Sequence, residues 1–239
     1  MFDSRRRVLF TVLAGFFVTN AVVAELIGGK LVQLGPFTMS IGIIPWPVVF
    51  LTTDLINEYF GRKGVRGLSL MTAGLVAYAF LLLLAGLRVP ASGISPVSDA
   101  QFAAVFGQSM WIIVGSITAF LTSQLVDVLV FWIIRRRTGR RMIWLRATGS
   151  TAVSQLIDTF IVAGIAFWLP GKVGFSSYVN MAATGYVAKL SIAVLVTPLI
   201  YLGHGIVHRY VGKEESRRIV DDTAREAGAA AEGFDTVSD

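Results

Sequence analysis

Apolar residues run along this chain in blocks of about twenty, a length that crosses the ~30 Å hydrocarbon core of a bilayer as a helix. Each block ends at a short basic cluster or a turn-forming stretch. Six spans are expected, over about Val8–Ile27, Phe37–Ile56, Gly67–Leu87, Met110–Ile134, Gly149–Leu169 and Ala182–Gly203. In lipid, every backbone N–H and C=O must be satisfied within the protein, so blocks of this length read as helices. The pattern therefore predicts an all-α, polytopic integral membrane protein with six transmembrane helices.

Three interruptions refine that picture. Pro45, Trp46 and Pro47 fall within the second block. Proline removes a backbone donor, so this helix is expected to be kinked or broken, with the turn around Trp46 either a cavity wall or a structural kink. Between Arg88 and Ser109 the chain reads PASGISPVSDAQFAAVFG. Its first half forms turns, and Ser98 or Asp99 can cap a short surface helix in the second half. From Lys213 the chain becomes charged, then rich in Ala and Gly. This divides it into a membrane domain over 1–212 and a short polar tail over 213–239, expected to be a short helix followed by disorder.

Net charge is +6, with a pI near 9.9. A basic protein can bind nucleic acid, but here the placement of the charge has another reading. With the N-terminus inside, six spans put 17 of the 21 Lys and Arg residues on the cytoplasmic side. Lys30, Arg88 and Lys172 fall on the opposite side, and Lys189 within a span. Cytoplasmic loops favour Lys and Arg, so both termini are expected to be cytoplasmic. The lipid bilayer is the expected partner and nucleic acid is not. The chain has no cysteine, which excludes disulfides and thiolate metal sites. No resident cofactor or metal is expected.

The spans also carry polar residues: Asn20, Glu25, Asp54, Asn57, Glu58, Gln124, Asp127, Gln155, Asp158 and Lys189. A charge at the centre of a membrane helix costs about 2.5–3.5 kcal/mol on insertion scales, so such residues mark pairs or functional sites. Asp54, Asn57 and Glu58 share one helix face. Glu58, the shallowest, either joins a site or pairs with Arg62 or another inner-loop arginine. Further on, SQLVD (Ser123–Asp127) is nearly repeated as SQLID (Ser154–Asp158). The two copies lie on helices that run in opposite directions from a basic cytoplasmic hairpin. Their glutamines fall at similar depth, with the aspartates on either side. The repeat suits either a polar cavity between the fourth and fifth helices or hydrogen bonds that hold the helices together. Lys189 is a counter-ion for a nearby aspartate, a substrate contact, or both.

Catalytic patterns are missing. The sequence shows no GxGD, HExxH or GxSG stretch and no Walker A loop, and its two histidines, His204 and His208, lie at the cytoplasmic end of the last span. An enzyme and an ATPase are not expected. An ion channel fits poorly, because the polar residues are grouped as a site rather than repeated as rings along a pore.

FLTTDLINEYFGRKGVR (Phe50–Arg66), SQLVDVLVF (Ser123–Phe131), WLRATGSTAVSQLIDTFI (Trp144–Ile161) and YVAKLSIAVLVTPLIYL (Tyr186–Leu202), in this order, resemble the queuosine precursor transporters of the vitamin uptake transporter family. NAVVAELIGGKLV (Asn20–Val32) is similar to that family's first span. The resemblance covers about residues 8–212. It implies a multi-pass importer of the bacterial inner membrane that carries 7-cyano-7-deazaguanine or 7-aminomethyl-7-deazaguanine. Alternatives are a membrane subunit energised by a separate ATP-driven module, or an importer of another small nucleobase-like or vitamin-like molecule. A coupling ion, H⁺ or Na⁺, and a homo-oligomer are compatible with it.

A carboxylate can accept both donors of a guanine-like edge, and a glutamine amide both donates and accepts. The expected substrate-binding set is Asp54, Gln124, Asp127, Gln155, Asp158 and Lys189, with Asp127 or Asp158 on the guanine-like edge. Asn20, Glu25, Trp46, Asn57, Glu58, Phe131 and Tyr186 are candidates for further contacts or gating, and Trp46, Tyr186 or Phe131 can supply a slot for a flat ring.

Overall fold

Helix α1 (Phe2–Ile27) opens the fold and, at 26 residues, is about 39 Å long. Leu13, Phe17, Ala21 and Ala24 recur every three or four residues and are buried, while Val12 and Phe16 face outward. The structure is a computed structural model that describes residues 2–28, 30–34, 37–107, 110–138 and 142–223. Arg140, Arg141 and Arg225, and the side chain of Arg62, lie outside the described residues.

A small antiparallel hairpin follows, β1 (Leu31–Leu34) on β2 (Phe37–Ser40), with Leu31 opposite Ser40. Ser40 then caps a 3₁₀ turn (Ile41–Ile43) by accepting from the Gly42 N–H, and its hydroxyl donates to the Gly28 carbonyl at 2.7 Å. This ties the turn to the end of α1. A side chain at Gly42 would stand 2.5 Å from the Ala24 carbonyl, so this close approach requires glycine.

Helix α2 (Trp46–Gly86) is broken at Gly61, whose φ of 70° is a conformation that glycine adopts without strain. Its first half, up to Phe60, covers about 22 Å. This corrects the span expected over Phe37–Ile56, whose first nine residues are strand, 3₁₀ turn and turn rather than helix. Pro47 does not kink a helix interior either. It sits in the first turn of α2, where its missing N–H costs nothing.

Among the described residues, five stretches are long and apolar enough to cross a membrane: Ser4–Ile27, Lys63–Gly86, the helix Met110–Thr138 within Asp99–Thr138, Ile143–Trp168 and Phe175–Leu195. The segment between α1 and the break at Gly61 is not among them, because it is short and carries Asp54, Asn57 and Glu58.

Helix α3 (Asp99–Phe106) lies on the surface with no buried residue and is capped by Ser98, whose hydroxyl and Gln101 form a reciprocal capping box. Helices α4 (Met110–Thr138) and α5 (Ile143–Ala163) form the most extensive helix pair. A π-helical turn (Gly164–Trp168) ends α5, and α6 (Phe175–Val211) follows. Past Gly212, with φ 101°, residues 213–223 form a further helix, α7. Ser216, Ile219 and Thr223 of α7 are buried. The start of the expected polar tail is therefore packed against the bundle, and 224–239 lies outside the described residues.

The arrangement of polarity is that of a protein in lipid. Leu81, Leu195, Leu202 and Ile206 are more than half exposed. Asp54, Asn57, Glu58, Gln124, Asp127, Arg146, Gln155 and Asp158 are all buried. An apolar exterior around a polar interior is stable only where the surrounding solvent is hydrocarbon.

Candidate functional site

The two SQLxD segments meet face to face. Ser123 Oγ donates to Asp158 Oδ1 at 3.3 Å, and Ser154 Oγ donates to Asp127 Oδ1 at 3.1 Å. Each serine thus serves the aspartate of the other copy, as an antiparallel pair with a local two-fold relation requires. Ser150 adds a second hydroxyl to Asp127. Lys189 of α6 completes the Asp158 site, with Nζ 2.7 Å from Oδ2. Gln124 accepts from Ser69 at 3.5 Å. Both repeated aspartates are therefore supplied with donors by the protein itself, so hydrogen bonding between helices accounts for part of the repeat.

Other groups in this interior have no such supply. Asp54 Oδ1, both amide atoms of Asn57 and Gln155 Oε1 are buried without a hydrogen-bond partner among the described residues. Leaving such an atom unpaired costs about 1–3 kcal/mol. Asp54 also lines a narrow cavity with Phe50 and Leu51 of α2, Ala147, Thr148 and Thr151 of α5, and Ala193 and Ile200 of α6. The cavity offers about 10 Å³ to the centre of a water molecule, room for roughly one water. Small side chains on α5 and α6 face a carboxylate and a phenyl ring on α2 across it.

A second layer lies toward the end of the bundle where α4 and α5 are joined. Glu58 Oε1 accepts from Arg146 Nη2 at 2.6 Å, and Glu58 Oε2 is 3.4 Å from Arg135 Nη1. Arg146 is 1% exposed, so its ion pair is among the most deeply buried contacts of the molecule. Arg135 also lies over the Trp132 ring and donates to the Val220 carbonyl of α7 at 2.9 Å. Tyr59 Oη is 2.9 Å from His204 Nδ1 and accepts from Ser216 of α7 at 3.3 Å. Glu58 thus pairs with two of the arginines that flank the α4–α5 connection, Arg135 of α4 and Arg146 of α5, and Arg62, the other candidate partner, has no described side chain.

The remaining candidates are dispersed. Glu25 hydrogen bonds with Ser116 and lies near the Asp158–Lys189 pair. Asn20 donates back to the Phe16 carbonyl of its own helix at 2.8 Å. Trp46 packs on Phe50 and Phe120, and Phe131 lies beneath the Arg146 guanidinium beside Trp132. Tyr186 is half-buried, three residues before Lys189. Sequence reasoning missed Ser150 as a ligand of Asp127, the burial of Arg135 and Arg146, and the Tyr59–His204–Ser216 chain. The eight-residue interval that sets SQLID behind Arg146 was the available signal for the arginine, because it placed Arg146 on the same helix.

Long apolar helices around a buried and partly unpaired polar interior define a multi-pass membrane transporter. Residues 40–203 match the family model described as "Putative vitamin uptake transporter", and the chain belongs to that family of transporters, not enzymes. It is 34% identical over 182 residues to a "Probable queuosine precursor transporter" of Bacillus subtilis, covering 75% of this chain and 78% of the relative. It is 26% identical over 176 residues to a protein of the same description from Haemophilus influenzae, covering 70% and 71%. No solved structure matches the chain.

Proposed function

We propose that this protein imports a 7-deazaguanine precursor of queuosine across the bacterial inner membrane, and that the base is held by the polar interior between α2, α4, α5 and α6. The observation that supports this reading is the set of buried, unpaired hydrogen-bonding groups on Asp54, Asn57 and Gln155. A transporter gains by keeping such groups for its cargo, since a ligand that satisfies them recovers the cost of their burial. The cavity beside Asp54 is too small for a bicyclic base, so entry requires α2 to separate from α5 and α6. Asp127, Asp158, Gln124 and Lys189 then act as the wall of the site: Lys189 is bonded to Asp158, and Asp127, Asp158 and Gln124 accept from Ser154, Ser123 and Ser69.

Reconstitution of the purified protein in liposomes tests this. Labelled 7-cyano-7-deazaguanine should accumulate, and 7-aminomethyl-7-deazaguanine should compete. Imposing a proton gradient in one arm and a sodium gradient in another identifies the coupling ion. Uptake that requires added ATPase subunits would favour the alternative of a membrane subunit energised by a separate ATP-driven module, and absence of exchange for either base would overturn the substrate.

A further inference from the structure

Asn57 is fully buried, yet neither its amide nitrogen nor its amide oxygen has a hydrogen-bond partner among the described residues. A side-chain amide is rarely left so, because both atoms can be satisfied by any neighbouring backbone or hydroxyl group. The residue stands one helical turn from Asp54, whose Oδ1 is also unpaired and which faces the cavity between α2, α5 and α6. Residues three apart on a helix lie on one face, with their Cβ atoms about 5–6 Å apart. The flanking positions have partners of their own: Glu58 accepts from Arg146 through Oε1 and is ion-paired through Oε2 with Arg135 at 3.4 Å, without a hydrogen bond there, and Thr53 bonds its own helix through the Val49 carbonyl. The first half of α2 therefore presents one donor and two acceptors in a row, and no protein group answers them.

We infer that Asn57 and Asp54 are the specificity-determining pair of this transporter, and that they read a ligand edge of the order acceptor, donor, donor. This rests on the proposed import of a deazaguanine and deepens it. A lactam presents C=O and N–H side by side, and a primary amide pairs with it reciprocally: Asn57 Nδ2 donates to the lactam oxygen and Asn57 Oδ1 accepts from the ring N–H. The exocyclic amine next to that N–H then donates to the Asp54 carboxylate one turn away. Guanine-like bases carry this edge. Hypoxanthine lacks the amine, and adenine reverses the donor and acceptor of the pair. A site built of hydrogen-bonding groups rejects a ligand that leaves them unpaired far more strongly than an apolar slot does. Substituents at the 7 position lie off this edge, so the pair selects the ring and leaves the 7-substituent to other walls.

The test is equilibrium binding to the purified full-length protein, using 7-cyano-7-deazaguanine, guanine, hypoxanthine and adenine as probes, with thermal unfolding measured in parallel. For the unaltered protein, loss of the amine should weaken binding roughly 10–100-fold, and adenine should bind more weakly still. Asn57→Leu should weaken binding of both guanine-edged probes roughly 100-fold while leaving thermal stability unchanged or raised, because an unpaired buried amide has been removed. Asp54→Leu should bring the guanine-to-hypoxanthine ratio close to one. That ratio is unaffected by a general loss of folded protein. Equal binding of all four probes by the unaltered protein overturns the inference. So does Asn57→Leu with normal affinity, or Asp54→Leu with its preference intact. Binding of guanine but not of the 7-substituted precursors would instead overturn the proposed substrate and leave the edge reading standing.

Discussion

Glu58 is ion-paired with two arginines from two other helices, hydrogen-bonded to Arg146 and 3.4 Å from Arg135, and all three side chains are at most 5% exposed. Removing one member of a buried ion pair costs about 3–5 kcal/mol, because the other charge is stranded. Glu58→Gln should therefore lower stability in detergent by about 3–5 kcal/mol, a large drop in the thermal midpoint. Glu58→Gln combined with Arg146→Met should cost less than the sum of the two single changes, since the second removes the stranded charge. Additive losses would show that the pair is not coupled. Lys189 and Asp158 are the contrasting case: the lysine side chain is 23% exposed and Asp158 keeps the Ser123 hydroxyl as a second donor, so Lys189→Met should cost less than Glu58→Gln.

At the scale of elements, the break at Gly61 is one of the points where α2 and α7 meet, beside the Ser216–Tyr59 hydrogen bond. Its φ of 70° strains any other residue, and a Cβ there would stand 3.0 Å from Thr223 Cγ2. Gly61→Ala should therefore destabilise by about 1–3 kcal/mol, and adding Thr223→Ser, which deletes that methyl, should recover the contact part of the loss and not the backbone part. Thermal unfolding of the three variants checks this; no recovery would mean that α7 does not press on Gly61. The long spans were legible in the sequence because twenty apolar residues can do little else. The depth relation of the SQLxD copies was legible too, since charges flanking the hairpin fix the distance of each residue from the interface. Residues 37–45 misled because apolarity without periodicity does not separate a strand and a 3₁₀ turn from a helix end. The docking of α7 was hidden because its buried residues, Ser216, Ile219 and Thr223, are mostly small or polar and carry no strong apolar stripe. Which of the polar groups lack partners is a property of packing alone, so Asn57 could not be ranked above Glu58 before the structure placed Arg146.

For the molecule as a whole, the number of crossings turns on the residues between α1 and Gly61. The orientation expected from the positive-inside rule puts Lys30 outside and Lys63 inside, which requires a crossing between them. The first half of α2 supplies about 22 Å of that path as helix, and Ile41–Pro45 supplies compact turns against the end of α1. Backbone that is not helical survives at membrane depth only where protein covers it, and Gly42 is buried against Ala24 and Gly28 as this demands. The absence of native cysteine makes a direct measurement clean, because each introduced thiol is the only one present. Lys30→Cys and Ser95→Cys should react with a membrane-impermeant maleimide in intact cells. Lys63→Cys and Arg218→Cys, which are also at exposed positions, should react only after permeabilisation. Labelling of Lys63→Cys from outside would mean that residues 31–60 enter and leave on one side, leaving five crossings and separating the two chain ends across the membrane. Labelling as expected gives six crossings, with Asp54 and Asn57 on a short helix whose polar face is shielded from lipid by α4, α5 and α6. That placement would set the unpaired groups on the first half of α2, in a bundle whose α4 and α5 are joined to each other by the reciprocal serine–aspartate bonds.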